Sequence, residues 1–127
     1  MIDEIPSGGN EIVLLCVWAH FTATDLSFYR QRWDTTKHAI IRLKSRSPDV
    51  RIIIKSANTR ENPQNELSNW YVWELDIVMR EIMSELDYVI IIDTWDMTIG
   101  HESGVHTHPP EAIISQEVDM LLSYLCP

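Results

Sequence analysis

The sequence predicts an α/β domain whose parallel sheet is covered by helices. Two observations carry this. Apolar runs over residues 11–18, 51–55 and 88–93 do not alternate with polar residues, the pattern of strands buried on both faces. Between and after them lie segments with apolar residues at three-and-four spacing. An order β-α-β-α-β-α implies crossover helices and parallel strands.

The first strand is expected over 11–18, where Ile12-Val13-Leu14-Leu15-Cys16-Val17 is unbroken and Cys16 reads as a small buried hydrophobe. Ile52-Ile53-Ile54 marks the second strand and Val89-Ile90-Ile91-Ile92 the third. Asp25 is a suitable N-cap for a helix with Leu26, Tyr29, Trp33, Ile40 and Leu43 on one face. A second helix is expected from about 68 to 86, with Tyr71, Leu75, Val78, Ile82 and Leu86 inward. The third begins at Pro110, a favoured first helical position. Its apolar stripe is Ile114, Val118, Leu121, Leu122 and Leu125. Trp33, Trp70 and Trp73 fall on helical segments and are expected in or near the core. Residues 1–10 contain Pro6-Ser7-Gly8-Gly9-Asn10 and read as a flexible leader, followed by a partial domain over 11–127.

A chain of 127 residues with 45% hydrophobic and 23% charged residues forms one domain at most. Its net charge of -9 argues against nucleic acid or an anionic membrane surface as partner. The charge is uneven: residues 1–60 carry nine of the ten Lys and Arg, and residues 61–127 set Arg80 alone against thirteen acids. That reads as two solvated faces of opposite sign. No stretch approaches the 18 uncharged apolar residues of a membrane span. The acidic first eleven residues are not a signal peptide. The cysteines, Cys16 and Cys126, have no zinc-type spacing and suggest no pair.

Topology gathers the candidate chemistry. Loops over 19–24, 56–67 and 94–109 each follow a strand, so all open on the carboxyl edge of the sheet, where ligands bind in open α/β sheets. They bring His20, then Lys55, Asn58, Arg60 and Glu61, then Asp93, Asp96, His101, Glu102, His106 and His108. A histidine there can act as general base and a carboxylate can orient it. A nucleophile is missing. Gly100-His101-Glu102-Ser103-Gly104 is not a nucleophile elbow, and neither a Gly-rich turn nor a helix follows Ser56. A metal site built from His101, His106 and His108 with Asp93 or Asp96 has suitable ligand types but no known spacing. Trp95 either packs or lines a sugar-binding surface.

Several segments resemble the C-terminal half of the neurexophilin and PC-esterase domain (NXPE) family. They are Ile54-Lys55-Ser56-Ala57-Asn58-Thr59-Arg60-Glu61, Asp93-Thr94-Trp95-Asp96-Met97-Thr98, His108-Pro109-Pro110 and the ending Met120 to Cys126. His20-Phe21 stands where the family has Gln-His-Phe. The resemblance implies a three-layer, flavodoxin-like sheet of SGNH-hydrolase type, of which these would be the last three of five strands. It implies action on acyl esters of glycans, as O-acetyltransferase or esterase, in the secretory pathway or outside the cell, with no cofactor or metal. It implies His108 or His106 as base with Asp93 and Asp96 in support, and His20, Asn58, Arg60 and Trp95 toward substrate. The nucleophilic Gly-Asp-Ser block of such enzymes does not occur in these residues, and Trp18-Ala19 replaces a usual Gly-Gln. This chain alone is therefore expected to be inactive. The alternative is a noncatalytic glycan-binding or protein-interaction module. The strand at 11–18, left as an open edge, invites self-association.

Overall fold

The computed structural model describes residues 1–59, 68–101 and 108–126. Four helices and three strands follow in the order β1 (Ile12–Leu15), α1 (Leu26–Arg46), β2 (Arg51–Lys55), α2 (Asn69–Met83), β3 (Val89–Ile92), α3 (Trp95–Ile99) and α4 (Glu111–Leu125). Short 3-10 turns occur at Ile2–Glu4 and Ala19–Phe21. The strands lie side by side as β1-β2-β3, all parallel. In the flavodoxin-like order 2-1-3-4-5 the last three strands are consecutive neighbours in this way, so the fold is consistent with part of such a domain.

Register separates the two faces. Val13 pairs with Ile52 and Ile52 with Val89; Leu15 pairs with Ile54 and Ile54 with Ile91. These residues point to one side, because side chains alternate along a strand. There they meet Tyr29, Trp33, Ile40 and Leu43 of α1 and Leu75, Met79 and Ile82 of α2 in the main core. Asp25 caps α1 by accepting from the Ser27 N–H, and the Ser68 hydroxyl caps α2 by accepting from Tyr71. Tyr29 is fully buried and its hydroxyl donates to the Val17 carbonyl at 2.8 Å, tying α1 to the end of the first strand. Burial pushes its phenol pKa well above the usual value. Residues 1–10 lie along α1. Arg42 holds Asp3 through two hydrogen bonds, Arg46 donates to the carbonyls of Ile2 and Ile5, and both isoleucines pack against the core.

The opposite face carries α4. Arg51, Ile53 and Lys55 of β2 project there. Arg51 donates to the carbonyls of Tyr124 and Leu125, Ile53 is fully buried, and Lys55 pairs with Glu117. Eight helical residues span about 12 Å and four strand residues about 13 Å. Those lengths match, so α4 runs antiparallel to the strands, packed against β3 and held to β2 by two cations, Lys55 at the middle of the helix and Arg51 at its end.

Several expectations fail on this face for one reason: α4 covers only part of it. Ile114, Val118 and Leu122 of the supposed buried stripe are 44–47% exposed, and Ile113 is the buried residue of the helix. Ile12 and Leu14 of β1 are as open as that stripe, and Cys16, expected to be buried, is exposed. Two helices cover one side of the sheet and one covers the other, and among the described residues no strand flanks β1 on its outer edge. Two further corrections concern aromatics and boundaries. Trp70 and Trp73 are 70% and 40% exposed, because α2 turns Val72, Leu75, Asp76 and Met79 inward and its 70-73-77 row outward. The segment expected to be irregular from 94 opens with the helical turn α3, and Pro110 is the N-cap of α4 rather than its first residue.

Candidate functional site

The carboxyl ends of the strands are knitted together by a polar network. Ser56 is fully buried after β2, and Thr94 is fully buried after β3. The Thr94 N–H donates to the Ser56 hydroxyl at 2.8 Å, and the Thr94 hydroxyl reaches the Ser56 carbonyl at 3.1 Å. Lys55 Nζ donates to Thr94 Oγ1 at 3.3 Å and to Asn58 Oδ1 at 3.5 Å. It lies 3.3 Å from Glu117 Oε1, within ion-pair range but not aligned as a hydrogen bond. One ammonium thus joins both loops and α4. The pair is largely shielded from solvent, with side-chain exposures of 18% and 11%. Charge screening is weak there.

A second network backs the first. Asp76 of α2 is buried, accepts from the Ala57 N–H at 3.0 Å and pairs with Arg80 Nε at 2.5 Å. Arg80 Nη2 approaches Asp93 Oδ2 at 2.9 Å off the hydrogen-bond direction, so charge dominates that contact. The other oxygen of Asp93 accepts from the Trp95 N–H at 3.2 Å. Burial works against the Arg80 charge, and Asp76 and Asp93 outweigh it, holding the guanidinium pKa above its ordinary value. Trp95 packs its ring 4.9 Å from that of Trp73, in a buried cluster with Trp18, Ala57 and Val72. Thr98 of α3 accepts from the Thr59 N–H at 2.9 Å.

Beside these networks, on the α4 side of the sheet, lies a cavity of about 360 Å³. Its polar wall is Lys55, Asn58, His108 and Glu117, and its remaining wall is Cys16, Trp18, Ala19, Pro109 and Ile114. A smaller, apolar hollow of about 190 Å³ adjoins it, where Leu14, Ile92, Val118 and Leu121 meet the same Lys55 and Glu117. His108 is exposed at the start of the Pro109-Pro110 step into α4. Asn58 is buried, with its amide nitrogen donating to the Thr59 carbonyl at 3.2 Å.

Of the residues singled out from sequence, the fold brings His108 and Asn58 into one wall. His20 is exposed in the turn after β1, next to Ala19 of the cavity. Asp93 faces Arg80 and Asp96 is exposed on α3; neither lines the cavity. Trp95 is turned into the packing cluster. His106 and Arg60 lie outside the described residues. Among the described residues, no group of three or more His, Cys, Asp or Glu comes together as a metal cradle, and no serine lines the cavity. Sequence reasoning passed over Glu117, Cys16 and Trp18. Glu117 had no local signal: the apolar periodicity pointed to the Ile114 stripe rather than to Ile113 as the buried face, and its partner Lys55 is far away in sequence. Cys16 and Trp18 had none, because an apolar strand end looks the same whether a cavity or a neighbour lies beside it.

No helix among the described residues is long and apolar enough to cross a membrane. The family model of the NXPE family member 4-like C-terminal domain matches residues 1–126, nearly the whole chain. Of the segments that resembled this family in sequence, Lys55 to Thr59 and Asp93 to Thr98 build the strand-end networks, His108-Pro109-Pro110 leads into α4 and Met120 to Cys126 ends it, and the chain belongs to the NXPE family member 4-like C-terminal domain family.

Proposed function

We propose that this chain is the C-terminal part of an acyl-ester enzyme of SGNH type, an O-acetyltransferase or esterase acting on glycans in the secretory pathway or outside the cell. His108 serves as the general base, with His106 as its rival. The observation that carries this reading is the shared wall: His108 and Asn58, from different loops, line one cavity at the carboxyl ends of parallel strands. A base and an amide donor at a strand-end cavity suit chemistry at an ester carbonyl. The nucleophile comes from residues outside these 127. Ser56, the described serine nearest the strand ends, is buried and committed to Thr94. The uncovered β1 edge and the open flank of α4 leave room for a further strand and helix beside the cavity.

The test is His108→Ala in the complete domain, assayed for acetyl transfer to, and release from, O-acetylated glycans. Loss of a general base lowers turnover by about 10²–10⁴-fold. Unchanged turnover would remove His108 from the mechanism.

A second reading is a noncatalytic glycan-binding or protein-interaction module. It is favoured by the lack of any described serine in the cavity wall and by the exposed Trp70 and Trp73. A Gly-Asp-Ser block encoded upstream of Met1 supports the enzyme; translation confirmed to start at Met1 supports the module. Taken alone, the chain is expected to self-associate through β1, whose apolar edge is open to pairing. Light scattering at high concentration checks this, and a clean monomer would speak against it.

A further inference from the structure

We propose that Lys55 is a positioning residue: it turns the Asn58 amide so that Nδ2–H is offered to a neutral acyl oxygen in the cavity. The inference rests on the acyl-ester reading for the identity of the ligand, but not for the orientation of the amide. A lysine ammonium has three donors and no acceptor. The atom that Asn58 presents to it is therefore the carbonyl oxygen, as the 3.5 Å Nζ–Oδ1 approach requires. The amide nitrogen then faces away from Lys55. One of its hydrogens meets the Thr59 carbonyl at 3.2 Å. A second hydrogen remains on a residue that is only 4% exposed yet lines the cavity. A buried amide donor is costly to leave without a partner.

Lys55 is itself held in place. Thr94, fully buried, accepts from it at 3.3 Å, and Glu117 stands at 3.3 Å. Glu117 also sets the class of ligand. Its carboxylate balances the ammonium, so the wall carries no excess positive charge and offers little to a free carboxylate. A neutral carbonyl accepts from an amide N–H without bringing charge into a shielded place, where an unpaired charge is expensive. The ligand class is a neutral ester or acetylated alcohol.

The experiment uses the full chain, uniformly ¹⁵N-labelled, with Lys55→Met, Lys55→Leu and Lys55→Arg variants, and follows the Asn58 side-chain NH₂ pair by NMR. In the wild type the two protons are well separated in shift and exchange slowly. In Lys55→Met they converge and exchange at least tenfold faster. Lys55→Arg, again a pure donor, restores the wild-type pattern, which a role in general stability would not require. Lys55→Leu, also without a donor, supplies the same comparison if the methionine variant fails to fold. Unchanged NH₂ signals in a folded Met or Leu variant would overturn the positioning role. Titration with ethyl acetate is expected to shift the Asn58 Nδ2 signal in the wild type and Lys55→Arg, and sodium acetate is not. An amide that depends on Lys55 but responds equally to both probes, or to neither, would overturn the ligand assignment and count against the acyl-ester reading while leaving the positioning intact.

Discussion

Replacing Arg80 with alanine is expected to lower the unfolding free energy by about 3–5 kcal/mol, the usual cost of orphaning one member of a buried ion pair. Domains of this size are stable by roughly 5–15 kcal/mol, so the variant would sit near the threshold of folding. The reason lies in Asp76. Its carboxylate is 1% exposed and has two partners, the Ala57 N–H and Arg80 Nε. Without Arg80 it is a buried charge held by one backbone donor. Asp93 loses its cation in the same step, but it is half-exposed and water replaces most of what it loses. Lys at position 80 is expected to recover part of the loss, because an ammonium cannot reach both carboxylates with the fork of a guanidinium. The double variant Asp76→Leu, Arg80→Leu removes the buried charge altogether. It leaves the Ala57 N–H unpaired at about 1–3 kcal/mol, so it is expected to be more stable than Arg80→Ala alone. Urea unfolding of the four proteins at neutral pH checks the order. A deficit under about 1 kcal/mol for Arg80→Ala would mean that water reaches Asp76, and the pair would then count as a surface bridge.

The same pair shows which parts of the chain were legible. The strands and the three long helices could be read because their signals are local: an unbroken isoleucine run, an Asp or Pro ahead of a periodic stretch. Asp25 caps α1, and Pro110 stands immediately before the first residue of α4. The face of α4 could not be read. The stripe Ile114-Val118-Leu122 has the periodicity of a buried face, but burial depends on what lies opposite, and on this face Ile12 and Leu14 of β1 are left as exposed as the stripe itself. Trp70 and Trp73 are the same lesson on α2, where Asp76 takes an inward position on the strength of its hydrogen bonds and the tryptophans lie outward. At the site, topology was enough to bring His108 and Asn58 to one edge. It could not say which side of the sheet each loop would favour. Asp93 turns toward the α2 side because Arg80, the one cation of the second half, waits there, and His108 stays on the other side because Pro109 and Pro110 lead straight into α4. Glu117 became part of the wall through a contact 62 residues away in sequence, which no local window contains.

Trp95→Ala is expected to cost about 3–5 kcal/mol, the range for emptying a buried tryptophan site. The two roles weighed for Trp95 differ most sharply in stability. A ring kept for stacking on a sugar would be exposed in the free protein, and its removal would change stability by no more than about 0.5 kcal/mol. Trp95 is 9% exposed, in contact with Trp73, and clustered with Trp18, Ala57 and Val72. It joins three elements: the first loop through Trp18, the second through Ala57, and α2 through Val72 and Trp73. Phenylalanine should retain much of that packing and lose less than alanine does. The loss should also spread to the cavity. Trp95 opens α3, and Thr98 on the next turn accepts the Thr59 N–H beside Asn58. Hydrogen exchange at Thr59 is therefore expected to accelerate in Trp95→Ala more than at Ile40 or Leu43, which lie in the α1 core away from this cluster. Uniform acceleration at all three would assign Trp95 to global stability alone. A selective response at Thr59 would make it the packing support on which the Asn58 side of the cavity depends.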